Sequence, residues 1–269
     1  MNRTNLLTAI SLLGSLATSQ AAFTLLDDFE SYSNGDISSA SNWSYDSSAG
    51  LVDGQVGGDA TNRYLIQKGA NTGGANDSHT KFDNNTVLIA NNAIGTYFFR
   101  AYMTADTHMG TGLSPLTSAA ASNHWNDAKP IIRIGNRVGT GANTEIYAYN
   151  DTTYSGLASN TTDGHWYNFW VLIDNTDGAD SYEVHIQSDT DTNYLSQTQI
   201  GPTGLGFRNG TADGDLKSLF FRTAINSADV YFDDLYIDST SHNLVNPVPE
   251  PAVSLLGALG LLGLLRRRR

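Results

Sequence analysis

Two short acidic stretches are the first candidates for chemistry. Asp27-Asp28-Phe29-Glu30 stands near the start of the chain and Phe232-Asp233-Asp234 near its end. Lying side by side, they would crowd several carboxylates onto one sheet edge, and opposed like charges are destabilising there. A hard divalent cation with oxygen ligands reverses that sign, so Asp28, Glu30 and Asp234 are read as ligands of a structural Ca2+. Phe232 and Leu235 both suit a core yet stand an odd number of residues apart, which predicts a bulge able to aim a carboxylate or carbonyl at an ion. Solvated strand ends are the alternative for the same acids.

A second group of residues suits sugar recognition. Ser122-Asn123-His124-Trp125-Asn126-Asp127 sets a tryptophan among amides and a carboxylate. Sugar C–H faces stack on aromatic rings, while amides and carboxylates read hydroxyl groups. Trp125, Asn123 and Asp127 are therefore the ligand-binding candidates, with Tyr154 in a second polar loop and Trp43 a weaker case. For each ring the alternative is a cap on the edge of the core. The acid-rich run Asp174 to Asp180 fails as an ion loop, because alignment on Gly178 puts Ile173 at the first ligand position of an EF-hand. A polar hairpin turn remains.

Other chemistries find little support. The chain has no cysteine, no Gly-x-Ser-x-Gly, and six histidines without His-x-x-x-His spacing. No catalytic residue is assigned, and the expectation is a protein that is not an enzyme. Residues 23–246 carry ten positive and 26 negative side chains, a net charge of −16. Such a surface repels phosphate backbones, which excludes nucleic acid as a partner and favours a cation or a neutral polymer.

The elements that must position these residues read as strands. Short apolar or alternating runs recur between Gly, Asn and Asp breaks, with no amphipathic helix and no repeat. Strands are expected over 23–29, 63–67, 86–90, 96–104, 131–134, 145–149, 166–174, 181–187, 218–223 and 230–237. The clearest hairpin joins 166–174 to 181–187. In its first strand Tyr167, Phe169, Val171 and Ile173 share one face while Trp166, Asn168, Trp170 and Leu172 share the other. Both faces are largely apolar, as in a central strand with one face in the core and the other in a groove or under a loop.

The ends of the chain carry signals of their own. Residues 1–22 combine Arg3, an apolar run from Leu6 to Ala17 and small residues at Ser19, Ala21 and Ala22, the pattern of a secretory signal peptide. At the other end Pro249-Glu250-Pro251 precedes an apolar run, Ala252 to Leu265, and then Arg266, Arg267, Arg268 and Arg269. The two prolines forbid helix around Glu250, and the arginines fix the end on the cytoplasmic side. As a helix the apolar run would rise about 21 Å, short of the ~30 Å hydrocarbon core, which suits a transient signal better than a permanent anchor.

This C-terminal pattern resembles the PEP-CTERM sorting signal of Gram-negative bacteria. The resemblance implies an exosortase-type membrane protease as a partner, membrane contact through the C-terminal helix before processing, and a destination at the cell surface, outer membrane or extracellular matrix. The segment between the signals, opening on Leu26 to Tyr32 and closing on Val230 to Ile237, resembles the concanavalin-A-like lectin/glucanase (LamG-like) superfamily. That resemblance implies an all-β fold, a two-sheet antiparallel jelly-roll sandwich whose first and last strands pair, often with a structural calcium near that pair. Its laminarinase-like glycosidases use a Glu-x-Asp-x-x-Glu strand, which this chain lacks. The expected division is a signal peptide at 1–22, the sandwich at 23–241, a linker with the Pro-Glu-Pro motif at 242–251 and the sorting helix with its arginine tail at 252–269. The functional expectation is an exported surface or matrix protein that binds extracellular polysaccharide or plays a structural role. The alternative is a secreted glycan-active hydrolase or lyase.

Overall fold

A computed structural model describes residues 23–46, 54–69, 78–83, 86–104, 108–117, 128–135, 144–210, 214–223 and 228–248. Among them sixteen strands, numbered β1 to β16 in chain order, form two antiparallel sheets, and the helical content is one 3-10 turn, Ile37–Ser39. The fold is the expected all-β jelly-roll sandwich. The larger sheet contains β1 (Thr24–Asp27), β2 (Gly35–Asp36), β4 (Gly54–Gly58), β5 (Arg63–Gln67), β7 (Ile94–Met103), β12 (His165–Asp174), β13 (Ser181–Gln187), β14 (Thr198–Gly206) and β16 (Val230–Asp238). Its order is β14-β13-β12-β7-β16-β5-β4-β2, with β1 also on β16. The smaller sheet runs β11 (Thr153–Thr161), β10 (Thr144–Asn150), β9 (Ile131–Gly135), β8 (His108–Ser114), β15 (Ser218–Thr223), β6 (Ser78–Phe82) and β3 (Trp43–Asp46).

The core lies between the sheets and is built from alternate residues of the central strands. Tyr97, Phe99, Ala101 and Met103 of β7 meet Tyr167, Phe169, Val171 and Ile173 of β12 on the inner face. Phe99 stacks on Phe169 with ring centroids 4.7 Å apart, and Phe221 of β15 reaches across to Phe232 of β16 at 4.6 Å. Truncating a ring such as Phe169 to alanine would cost roughly 3–5 kcal/mol.

The second apolar face of β12 is covered as its sequence implied. Trp170 and Leu172 pack with Phe98 beneath Phe23, Tyr236 and Val248. Trp170 Nε1 donates to the Val245 carbonyl at 3.0 Å. Residues 242–248, the described part of the segment expected as a linker at 242–251, lie as a strap on the sheet. Thr96 Oγ1 donates to the Ser241 carbonyl at 2.9 Å and accepts from Asn243 N at 2.8 Å. Asp238 gathers the bend, accepting from Thr240 N, Ser241 Oγ and Asn243 Nδ2.

Other expectations are corrected. Residues 86–90 make a single bridge, Ile89 to Leu216, and not a strand; Leu88 and Ile89 are buried plugs whose amides both donate to the Leu216 carbonyl. The first strand stops at Asp27, whose Oδ1 accepts from Phe29 N at 2.8 Å and turns the chain, with Phe29 at φ 58°. Trp43 is a core residue, 4% exposed, with Nε1 donating to Asp27 Oδ2 at 2.8 Å.

Candidate functional site

The outer face of the larger sheet, opposite the core, carries three consecutive cross-strand rows. Trp166, Tyr102 and Tyr231 make the first; Asn168, Arg100 and Asp233 the second; Trp170, Phe98 and Tyr236 the third. From the second row to the third β16 advances three residues while β7 advances two, because the register shifts between Asp233 and Tyr236. This is the bulge that the spacing of Phe232 and Leu235 predicted. Asp234 takes φ 52° there, which leaves both Asp233 and Asp234 in the polar middle row.

A groove of about 530 Å³ opens over that middle row. Asp233, Asp234, Arg100 and Asn168 lie along it, Asp28 and Glu30 come from the turn after β1, and Asp189 from the loop after β13. Asn246 and Val248 at the end of the strap complete the wall. Pairing of β1 with β16, Asp27 opposite Leu235, brings the two acidic stretches together as expected.

Each acid has a distinct setting. Asp27 points inward and is structural, with Oδ2 accepting from Tyr32 Oη at 2.7 Å and from Trp43 Nε1. Asp234 Oδ2 accepts from Arg100 Nη1 at 2.9 Å. Glu30 Oε1 accepts from Arg63 N at 2.8 Å, and Arg63 Nη1 donates to the Glu30 carbonyl at 2.8 Å. Asp28 Oδ1 accepts from Glu30 N at 3.2 Å. Asp233 is 3% exposed; its Oδ1 accepts from Asp234 N at 2.8 Å. Burial, and then the adjacent Asp234 carboxylate, pushes Asp233 up to about 8, so it is largely protonated at neutral pH. Burial also raises Asp234, against the pull of Arg100.

These settings fit Ca2+ poorly. Among the described residues no three His, Asp or Glu side chains gather in a way that would hold a metal ion. The expected ligands Asp28, Glu30 and Asp234 do line one groove, where a guanidinium sits on Asp234 and a backbone amide on Glu30. Repulsion among the acids is eased by the Arg100 guanidinium on Asp234.

Beside the groove four rings close a circuit on the same face. Tyr64 lies 5.1 Å from Tyr231, Tyr231 stacks on Tyr102 at 5.6 Å, Tyr102 lies 5.5 Å from Trp166, and Trp166 returns to Tyr64 at 5.9 Å. All four are half-buried. Arg100 joins ring cluster and groove, its guanidinium 5.1 Å from the Trp166 ring centroid.

The expected sugar-binding residues fall elsewhere. Trp125, Asn123 and Asp127 lie outside the described residues, as do Pro249, Glu250, Pro251 and Arg266 to Arg269. Tyr154 is not in a loop: it is the second residue of β11, on the smaller sheet, 37% exposed. Its ring lies 4.1 Å from Tyr149 and 4.9 Å from the Arg133 guanidinium, which donates to Tyr154 Oη at 2.6 Å. Ala128, the first described residue after the Trp125 segment, packs with Tyr149, Ile131 and Phe220 on this outer face. Tyr154 therefore belongs to the sheet away from the acidic groove.

No family profile matches the chain, and no curated protein does. Several solved structures are similar to it. The globular domain of T. cruzi calreticulin is 11% identical over 78% of this chain and 88% of its own, with a TM-score of 0.48. A GH131 β-glucanase catalytic domain from Podospora anserina is 12% identical over 81% of this chain and 97% of its own, also at 0.48. The potassium-bound carbohydrate recognition domain of Emp46p is 7% identical over 81% and 97%, at 0.45. At this level of likeness no residue role passes to this chain.

Proposed function

We propose that the protein is an exported, surface-associated carbohydrate-binding module that holds a saccharide on the outer face of its larger sheet. The observation that carries this reading is the contact between a half-buried circuit of four rings and a polar groove on one sheet face, joined through Arg100. Pyranose C–H faces stack on Tyr and Trp rings, and the amide of Asn168 with the carboxyls of the groove offers donors and acceptors for hydroxyl groups. The groove volume lies within the ~300–1,000 Å³ of ordinary ligand sites. The terminal signals supply the route: secretion through residues 1–22 and removal of the arginine tail by an exosortase-type protease at the Pro-Glu-Pro segment.

One observation favours a second reading, a glycan-active enzyme. Burial raises the Asp233 carboxyl in a groove lined by further carboxyl groups, and glycosidic-bond cleavage uses a raised acid with a second carboxylate on the other side of the scissile bond. Incubation with immobilised polysaccharides followed by a reducing-end assay separates the two. A binding module is retained and releases no ends; release of ends that Asp233→Asn abolishes would establish the enzyme.

A further inference from the structure

We infer that the chain's own Pro249-Glu250-Pro251 segment docks across the outer face of the larger sheet, Pro249 over the middle row and Pro251 against the row of Trp166 and Tyr102. The strap sets the heading. Ser241 and Asn243 bond to Thr96, which pairs with Leu172. Val245 takes the indole N–H of Trp170, one row further on, and Asn246 and Val248 stand in the groove over the row after that. The chain thus advances row by row toward the four-ring circuit, and Val248 ends the described residues.

Alternate prolines hold that course. From Asn246 to Pro251 every residue is a proline or precedes one. Proline locks its own φ, and the residue before it is pushed out of the helical region, so these six are confined to an extended, polyproline-II path. Such a rod repeats every three residues. Asn246 and Val248 line the groove and Pro247 between them does not. Carried on by three, the repeat turns Pro249 and Pro251 toward the sheet and Glu250 toward solvent, clear of the carboxyl groups in the groove.

The reach agrees. Val248 packs on the third row, with Phe98 and Trp170, and the row of Trp166 and Tyr102 lies four residues along the strands, about 13 Å away. Three residues of the rod cover about 9 Å, and a van der Waals contact of roughly 4 Å closes the remainder. Proline rings on Tyr and Trp are a common mode of Pro-rich peptide recognition. The two aromatic rows differ as this occupant requires: Phe98 and Trp170 are wholly buried beneath the strap, whereas Trp166, Tyr102 and Tyr231 are half-buried. A chain that keeps residues 249–251 therefore carries its own competitor for the proposed saccharide face. That consequence rests on the carbohydrate reading; the docking does not.

The test uses the full chain in detergent micelles, labelled with 5-fluorotryptophan so that its four indoles report separately by fluorine NMR. Trp166→Phe identifies the Trp166 signal. Pro249→Gly combined with Pro251→Gly frees the rod and should shift that signal and raise its broadening by a dissolved gadolinium chelate. Glu250→Gln changes the outward residue and should leave both as in the wild type, with circular dichroism verifying the fold of each variant. A Trp166 signal unmoved in the double-glycine variant, or one that responds equally to Glu250→Gln, would overturn the docking. No saccharide enters this readout, so that failure leaves the carbohydrate reading standing, and failure of polysaccharide retention leaves the docking standing.

Discussion

Arg100 Nη1 lies 2.9 Å from Asp234 Oδ2, an ion pair that joins two strands whose residues are 134 apart in sequence. It does two things at once. It provides the positive charge within a groove of five carboxyls, and through its contact with Trp166 it fixes the boundary between the polar row and the aromatic one. Removing it, as in Arg100→Met, would leave Asp234 buried without a partner, a change that commonly costs about 3–5 kcal/mol.

Asp27 is expected to be a structural keystone. Three donors converge on it, from Phe29 N, Tyr32 Oη and Trp43 Nε1. Asp27→Ala leaves all three without that acceptor in a buried setting, and a loss on the order of 3 kcal/mol is expected by chemical denaturation. A loss below about 1 kcal/mol would show that water replaces the carboxylate freely.

Asp233 sets a pH dependence of stability. Its folded value near 8 lies above the 3.8 of an ordinary aspartate, so the folded protein keeps a proton that the unfolded chain gives up. The stability it contributes is complete below about pH 4 and is lost as pH rises through about 8, at a slope of at most roughly 1.4 kcal/mol per pH unit. Melting temperatures of wild type and Asp233→Asn should therefore diverge between pH 5 and 8, with the variant falling less. Parallel curves would contradict a protonated Asp233.

Chelation should leave the melting curve unchanged. Arg100 holds Asp234 and the Arg63 amide holds Glu30 without a metal. A fall in melting temperature with EDTA that millimolar Ca2+ restores would reinstate Asp28, Glu30 and Asp234 as ligands.

Processing at both ends is tested in the native host. The mature protein should lack residues 1–21 and the four arginines by intact-mass analysis. A mature species that keeps Arg266 to Arg269 would remove the sorting reading.

Much of this architecture is legible in the sequence, for reasons tied to particular residues. Strands such as Arg63–Gln67, Ser181–Gln187 and Ser218–Thr223 coincide with alternating or apolar runs bounded by turn residues. The odd spacing of Phe232 and Leu235 disclosed the bulge. Strands such as Gly54–Gly58 and Thr198–Gly206 are not legible in the sequence because glycine, threonine and glutamine give no apolar period. The middle row was hidden for another reason: Asn168, Arg100 and Asp233 are brought together by register across three strands far apart in sequence, which no local pattern encodes. A polar residue between two outward aromatics at 98, 100 and 102, and again at 166, 168 and 170, was the available signal. The tryptophan in a polar setting at 125 lies outside the described residues.

The central claim, that saccharide is held on the outer face of the larger sheet, is tested most directly by affinity electrophoresis of two single variants against the best-retaining polysaccharide. Trp166→Ala removes a ring of the four-membered circuit, while Tyr154→Ala alters the opposite sheet. Loss of a stacking ring is worth on the order of 1–3 kcal/mol, about tenfold to a hundredfold in affinity. The account predicts that loss for Trp166→Ala and wild-type retention for Tyr154→Ala, both variants folded by circular dichroism. Retention unchanged in Trp166→Ala and abolished in Tyr154→Ala would contradict it and move the binding surface to the smaller sheet.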